Sequence, residues 1–380
     1  MNILKMQQTQ ELFLGLSTIW RASTWMLFFS LILWYNYFGD KMKIIHTGDL
    51  HLKKFYKGRL PLEVSNKLLE DSWRALYEVF EFSNEVQADI ILIAGDLFER
   101  EFFNLRDLNR FLDLVKKLNA KVFIVFGNHD YLSEDNLFLK VNLPENLYIF
   151  SNELDYFELS ELKTRIYGIS YDSFAFKKDF NDIKLDQNFI NIGLFHSDLK
   201  DERYLPLSKD FLEKFNYVAL GHIHKRGKVF DNTYYSGSLI PLSFKDRGKR
   251  GIIFLDDDKK TIEFKDFSRR EFVNLEINLK KEMTYSEVLN LIQDQIEQNN
   301  LYRIMLKGET LHPRDIENFL KENLSAFYFE IQNELVDSYE EYEIRDKYII
   351  DLLDSFASSK MEQEARELSK KYILEQGYDN

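Results

Sequence analysis

From Met42 onward, short runs of apolar residues alternate with longer stretches in which apolar positions recur at helical spacing. Lys43–Thr47, Ile90–Ala94 and Val122–Phe126 predict buried strands, separated by helices near Val64–Val86 and Leu105–Leu118. Ile190–Phe195 and Tyr217–Leu220 predict two more strands, followed by β-rich text at Lys228–Phe230, Tyr234–Ser236, Gly251–Leu255 and Thr261–Phe267. This alternation predicts an α/β fold in which helices flank β-sheet layers. After Arg269 and Arg270 the pattern becomes strand (Phe272–Leu279), helix (Tyr285–Gln298), strand (Leu301–Leu306), helix (Ile316–Asn323) and strand (Ala326–Ile331), a small α+β unit. Beyond it Tyr348, Leu352, Phe356, Leu368 and Tyr372 punctuate a charged run at four-residue spacing and predict terminal amphipathic helices. The expected organisation is residues 1–41 ahead of the fold, a main domain over 42–270, a small α+β domain over 271–335 and a helical tail over 336–380.

The first 41 residues are of another kind. Ala22–Phe38 carries no charge for 17 residues, the lower limit for crossing a hydrocarbon core. Arg21 precedes it directly, no small-residue cleavage site follows, and Lys5, Lys41 and Lys43 fix no orientation. The expectation is a dispensable leader on a cytoplasmic protein, with a membrane anchor as the alternative.

Composition then narrows the chemistry. The 380 residues include no Cys, which removes disulfides, thiolate metal sites and cysteine nucleophiles together. Any metal must sit on nitrogen and oxygen donors. The net charge of -13 is uneven: residues 281–380 hold 22 acids and 11 bases, against 41 acids and 39 bases in residues 1–280. A broad basic footprint for nucleic acid is excluded.

The informative residues follow the predicted strands. Lys43–Thr47 leads into Gly48-Asp49-Leu50-His51, Ile90–Ala94 into Gly95-Asp96, and Val122–Phe126 into Gly127-Asn128-His129-Asp130. Ile190–Phe195 ends in His196, and Tyr217–Leu220 in Gly221-His222-Ile223-His224. Loops at the carboxyl ends of sheet strands converge on one crevice, so residues far apart in sequence become neighbours. Five of the seven histidines lie at these strand ends; His46 and His312 do not, and are read as structural. The loops supply carboxylates from Asp49 and Asp96, an amide oxygen from Asn128 and imidazoles from His51, His196, His222 and His224. That set exceeds one tetrahedral shell and suits two cations about 3.5–4 Å apart, bridged by one carboxylate. Mixed nitrogen and oxygen donors favour Mn, Fe or Zn over Mg or Ca. His129 is left over, a candidate acid or transition-state donor beside the metals.

The ordered set D-x-H, GD, GNH[DE], H, GHxH resembles the calcineurin-like metallophosphoesterases over Met42 to Phe267. HTGDLHL, Tyr235-Ser-Gly-Ser-Leu-Ile-Pro with Ser243-Phe244 and Gly248-Lys249-Arg250-Gly251, and the small second domain narrow the resemblance to SbcD/YhaO-type bacterial DNA-repair exonucleases. The GDxxDRG signature of protein phosphatases is not met, because Asp96 is followed by Leu97-Phe98-Glu99-Arg100-Glu101. The resemblance implies a metallophosphoesterase sandwich with a C-terminal capping domain. It also implies one metal on Asp49, His51, Asp96 and His224 and another on Asp96, Asn128, His196 and His222, with Asp96 bridging and manganese the usual ion. His129 would act on the scissile phosphate or the leaving oxygen, with Asp130 orienting it. The implied activity is cleavage of DNA phosphodiester bonds in repair through two-metal activation of water. The alternative is a phosphoesterase acting on a nucleotide or lipid phosphoester, which a membrane anchor would favour.

Basic clusters beside the ligand loops suit DNA despite the acidic total: Lys53, Lys54, Lys57 and Arg59; Arg226 and Lys228; Lys245, Arg247, Lys249 and Arg250. No Gly-Lys-Ser/Thr phosphate loop is present, so ATP-driven action requires a second polypeptide. The resemblance implies an SMC-like or coiled-coil ATPase docking on the terminal helices, and a homodimer is a further expectation.

Overall fold

A computed structural model of the chain describes residues 42–54, 56, 59–180, 183–310, 313–337, 364–365 and 367–368. The leader and His312 lie outside the described residues, as does most of the tail, of which residues 364–365 and 367–368 are helical. Among the described residues no helix is long and apolar enough to cross a membrane.

The chain divides into two units. The larger takes the described residues up to Leu275 together with Ile296–Arg303 and Ser325–Glu330. Its strands β1 (Lys43–Thr47), β2 (Ile90–Ala94) and β3 (Lys121–Val125) pair in parallel, joined by the helices α1 (Leu62–Val86) and α2 (Leu105–Val115). α2 starts cleanly because Asn104 and Asp107 form a reciprocal capping box. β4 (Leu147–Ile149) extends this sheet beside β3. The second sheet is built from β5 (Asp155–Leu159), β6 (Thr164–Gly168), β7 (Ile190–His196), β8 (Tyr217–Gly221), β9 (Gly227–Phe230) and β10 (Thr233–Tyr235). The short helix α3 (Lys209–Leu212) lies between β7 and β8. β11 (Gly251–Asp256) and β12 (Thr261–Asp266) return to the first sheet, giving the order β12-β11-β1-β2-β3-β4 against β5-β6-β7-β8-β10-β9.

Alternation along each strand explains the layering. Ile44, Ile90, Leu92 and Phe123 pack with Ile166, Ile192, Leu194 and Ala219 between the sheets. Their neighbours Ile45, Ile91, Ile93 and Ile124 pack against Trp73, Leu76, Leu108 and Phe111 of the helices. The far face of the second sheet is covered by Leu205, Leu207, Phe211 and Phe215. With both faces buried, these strands read as continuous apolar runs, which is what made them visible. β4, β5 and β6 carry no such signal: β4 has three residues, and most of β5 is exposed at the sheet edge.

A third sheet has the order β13 (Phe272–Leu279), β14 (Leu301–Thr310), β15 (Tyr328–Asn333), with β16 (Val336–Asp337) beside β14. The smaller unit takes Glu276–Gln295, Ile304–Leu324 and the described residues from Ile331, and contains α4 (Tyr285–Gln293) and α5 (Pro313–Asn323). The division passes through β13, β14 and β15 and does not follow Arg270.

Candidate metal centre

Because β1, β2 and β3 run parallel, and β7 and β8 do likewise, their carboxyl ends deliver the five loops to one edge of the sandwich. Asp49, His51, Asp96 and His222 all have positive φ (50°, 44°, 50° and 92°), a left-handed backbone that costs a non-glycine residue about 1–3 kcal/mol. The loops are bent to aim side chains. Gly127 is required for a different reason: a β-carbon there would run into Asp96 Oδ1 and the His196 ring.

Two donor groups result. In one, Asn128 Oδ1 lies 3.0 Å from His196 Nε2 and 3.2 Å from His222 Nδ1, and the two imidazole nitrogens are 3.2 Å apart. In the other, His51 Nε2 is 3.2 Å from His224 Nε2, and donor atoms of Asp49, His51 and His224 fall within 4.8 Å of one another. Asp96 Oδ2 reaches both, 3.4 Å from His196 Nε2 and 3.6 Å from His51 Nε2. Its Oδ1 accepts the His129 amide at 2.9 Å, which turns Oδ2 toward the centre.

The ring orientations test whether cations fit. His196 donates Nδ1–H to the Ala94 carbonyl (2.9 Å) and His51 donates Nδ1–H to Glu99 (2.9 Å), so both present a bare Nε2 lone pair inward. His224 Nδ1 faces Asp246 Oδ1 at 3.6 Å, which favours the same tautomer. Burial pushes the His51 imidazole down and His222 down to about 4, favouring the neutral form that ligates metals. Burial also lowers His224, but Asp246 and Asp49 more than offset it. The bare Nε2 lone pairs of His51 and His196 therefore face the Asp96 carboxylate and the Asn128 amide oxygen across 3.0–3.6 Å without a proton to share. This arrangement is repulsive by itself and suits a divalent cation in each group, with Asp96 between them.

Residues 42–226 match the calcineurin-like phosphoesterase family. The chain carries a calcineurin-like metallophosphoesterase domain. It is also 29% identical over 231 residues to an uncharacterized metallophosphoesterase, YhaO, of Bacillus subtilis (strain 168), covering 55% of this chain and 56% of that protein. The chain thus spans about half the length of the curated relative it matches. The family's chemistry is hydrolysis of phosphoester bonds with divalent metals, and the mixed His and Asp cluster is suited to it.

Within the metallophosphoesterase domain one sequence expectation is corrected. Asp130 does not orient the His129 ring: its carboxylate accepts the Leu97 amide at 2.6 Å and the Gly127 amide at 2.7 Å, stitching two ligand loops together. The group that holds His129 is Glu99, whose Oε2 accepts Nδ1–H at 2.8 Å while Oε1 holds His51. Burial alone would lower the His129 imidazole, but the Glu99 hydrogen bond and the charges of Asp96 and Glu99 raise it to about 9. Burial would likewise raise Asp96, but His196, His51 and His129 hold it at about 2. In the sequence Glu99 shows only as a mismatch to GDxxDRG, a carboxylate three residues after Asp96. Asp246, behind His224, had no sequence signal beyond its place in a basic loop. His46 is structural: it is fully buried, bonded to Tyr217 Oη at 2.9 Å and to the Leu220 carbonyl at 3.2 Å.

Proposed function

We propose that the chain is a divalent-metal-dependent nuclease that cleaves DNA phosphodiester bonds, as an exonuclease or endonuclease in repair, with Mn2+ as its working ion. The observation that supports a nucleic-acid substrate is a cleft of about 810 Å3 that opens beside His129. Its walls include Lys54, Arg59 and Lys245, with the exposed Phe102 among the aromatic residues. Clefts of this size accept nucleotide-sized ligands. Cations along a strand's path engage phosphates, and aromatic rings offer faces to bases.

When bound, two divalent cations supply an activated water and neutralise charge building on the phosphoryl oxygens. The protein's own groups do the rest. Asp96 keeps the two donor sets in register. His129, with Nδ1–H fixed on Glu99, has its second ring nitrogen available to donate to a phosphoryl oxygen or to the departing oxygen. The stitching by Asp130 keeps the Asp96 and Asn128 loops at a constant separation while charge develops. ATP-driven action belongs to a partner, and an SMC-like or coiled-coil ATPase is the partner we propose.

The test is hydrolysis by the purified full chain with Mn2+ of linear double-stranded, hairpin and single-stranded DNA beside bis(p-nitrophenyl) phosphate. Cleavage of DNA is expected. Turnover of the chromogenic diester with every DNA intact overturns the nucleic-acid reading and leaves phosphoester hydrolysis alone.

A further inference from the structure

The cleft beside His129 carries more cationic charge than its acids use. Lys54 Nζ lies 3.6 Å from Glu99, and Arg303 is ion-paired with Glu330 while its guanidinium covers the Phe244 ring at 4.4 Å. Arg59 and Lys245 also line the cleft, and among the described residues neither side chain has an acidic partner.

The Arg59 amide donates to the Tyr56 carbonyl at 3.1 Å, on the stretch that follows His51. Lys245 lies in a turn where the Asp246 amide donates to the Ser243 carbonyl (2.9 Å) and the Asp246 carboxylate accepts the Leu242 amide (3.0 Å). That carboxylate's other oxygen faces His224, so the residue that ties down the Lys245 turn also touches a donor of the metal centre. Beneath the two cations, Tyr56, Leu68, Phe244, Phe272 and Leu301 form one buried cluster. Two cations without an acidic partner among the described residues, one on the stretch that follows His51 and the other beside the residue that backs His224, stand over a buried apolar cluster and suit an anion next to the reacting one.

We propose that Arg59 and Lys245 form a second phosphate site, which takes the phosphate flanking the scissile bond. The preferred substrate is then a strand with consecutive phosphates, and an isolated diester is a poor one. This rests on the nucleic-acid reading above and names what it selects for.

The experiment compares the dithymidine monophosphate diester with the same diester bearing a terminal 5′ or a terminal 3′ phosphate. For the wild-type chain with Mn2+, one of the two phosphorylated forms is expected to exceed the unphosphorylated diester in kcat/KM by about tenfold or more, as a charge-assisted contact supplies. In Arg59→Gln/Lys245→Gln that ratio should fall to near one. Independently, in chelator and without turnover, the salt dependence of binding labelled single-stranded oligothymidylate should flatten by about 0.7 in log-log slope, the value for one lost phosphate contact on a single strand. If the three dithymidine substrates are cleaved at equal rates by the wild type, or if the double variant keeps the wild-type ratio and salt slope, the second site is rejected while the nuclease reading stands. If no dithymidine is cleaved while bis(p-nitrophenyl) phosphate is turned over, the nucleic-acid reading fails and this site with it.

Discussion

The two halves of the metal centre are held by different means. His196 is anchored by a backbone carbonyl, that of Ala94, and is fully buried. His51 and His224 are backed by carboxylates, Glu99 and Asp246, each of which has a second task. Glu99 also holds His129, and Asp246 also fixes the turn that carries Lys245. His196 alone is part of the sandwich core, since His222 beside it is half-buried with Nε2 3.7 Å from Asp198; the half with His51 and His224 adjoins the cleft beside His129. A backbone anchor cannot be removed by substitution, whereas a carboxylate anchor can. The half containing His51 and His224 is therefore where mutation separates metal binding from substrate chemistry.

The largest effect is expected where the halves join. Asp96→Asn removes the negative charge that both groups share, and phosphodiester turnover should fall at least about a thousandfold, measured as kcat/KM on a chromogenic diester with Mn2+. A variant retaining a tenth of wild-type activity would break the picture of a shared carboxylate. Next is His129→Ala, which should lower kcat by about 10²–10⁴ while metal content, measured by elemental analysis, stays at the wild-type value. Loss of metal from that variant would move His129 into the donor set.

A smaller effect sharpens the contrast between the halves. Asp246→Asn should weaken the binding of one metal equivalent about 10–100-fold in calorimetric titration and leave the other unchanged, since it backs His224 alone. Equal weakening of both would mean that the halves are not independently held. The smallest effect lies away from the centre. Burial drives the His46 imidazole down to about 3 in the folded chain, against 6.5 when unfolded. Above pH 6.5 both states are neutral and His46 contributes no pH dependence. As the pH falls from 6.5 toward 3 the unfolded chain takes up a proton that the folded chain refuses, and stability is lost. In metal-free protein, His46→Gln should reduce the slope of unfolding free energy between pH 4 and 6 by about 1.4 kcal/mol per unit, one proton's worth. An unchanged slope would show that His46 protonates without unfolding.

Much of this was legible in the sequence because it is carried by period and order. Ile90–Ala94 and Tyr217–Leu220 announce themselves as buried strands through unbroken apolar runs, and the residues after each strand name their own destination once the strands are known to be parallel. What was not legible is carried by side chains meeting across loops. Asp130 follows His129 directly and invited the reading that it serves the ring, but in a tight turn its carboxylate curls back onto the Gly127 amide and reaches across to Leu97. Glu99 and His129 come together only because β2 and β3 are neighbours in register, so that 30 residues of intervening chain return to the same edge. The edge strand β5 escaped for a simpler reason, since its exposed positions carry little apolar signal.

Asp96 is placed for one carboxylate to hold two cations together. Electron paramagnetic resonance of the full chain titrated with Mn2+ measures this directly. Binding of two equivalents per chain, with a spin-coupled multiline signal that replaces the isolated six-line spectrum as the second equivalent is added, is the predicted result. Saturation at one equivalent, or two equivalents showing only uncoupled six-line spectra, would contradict it.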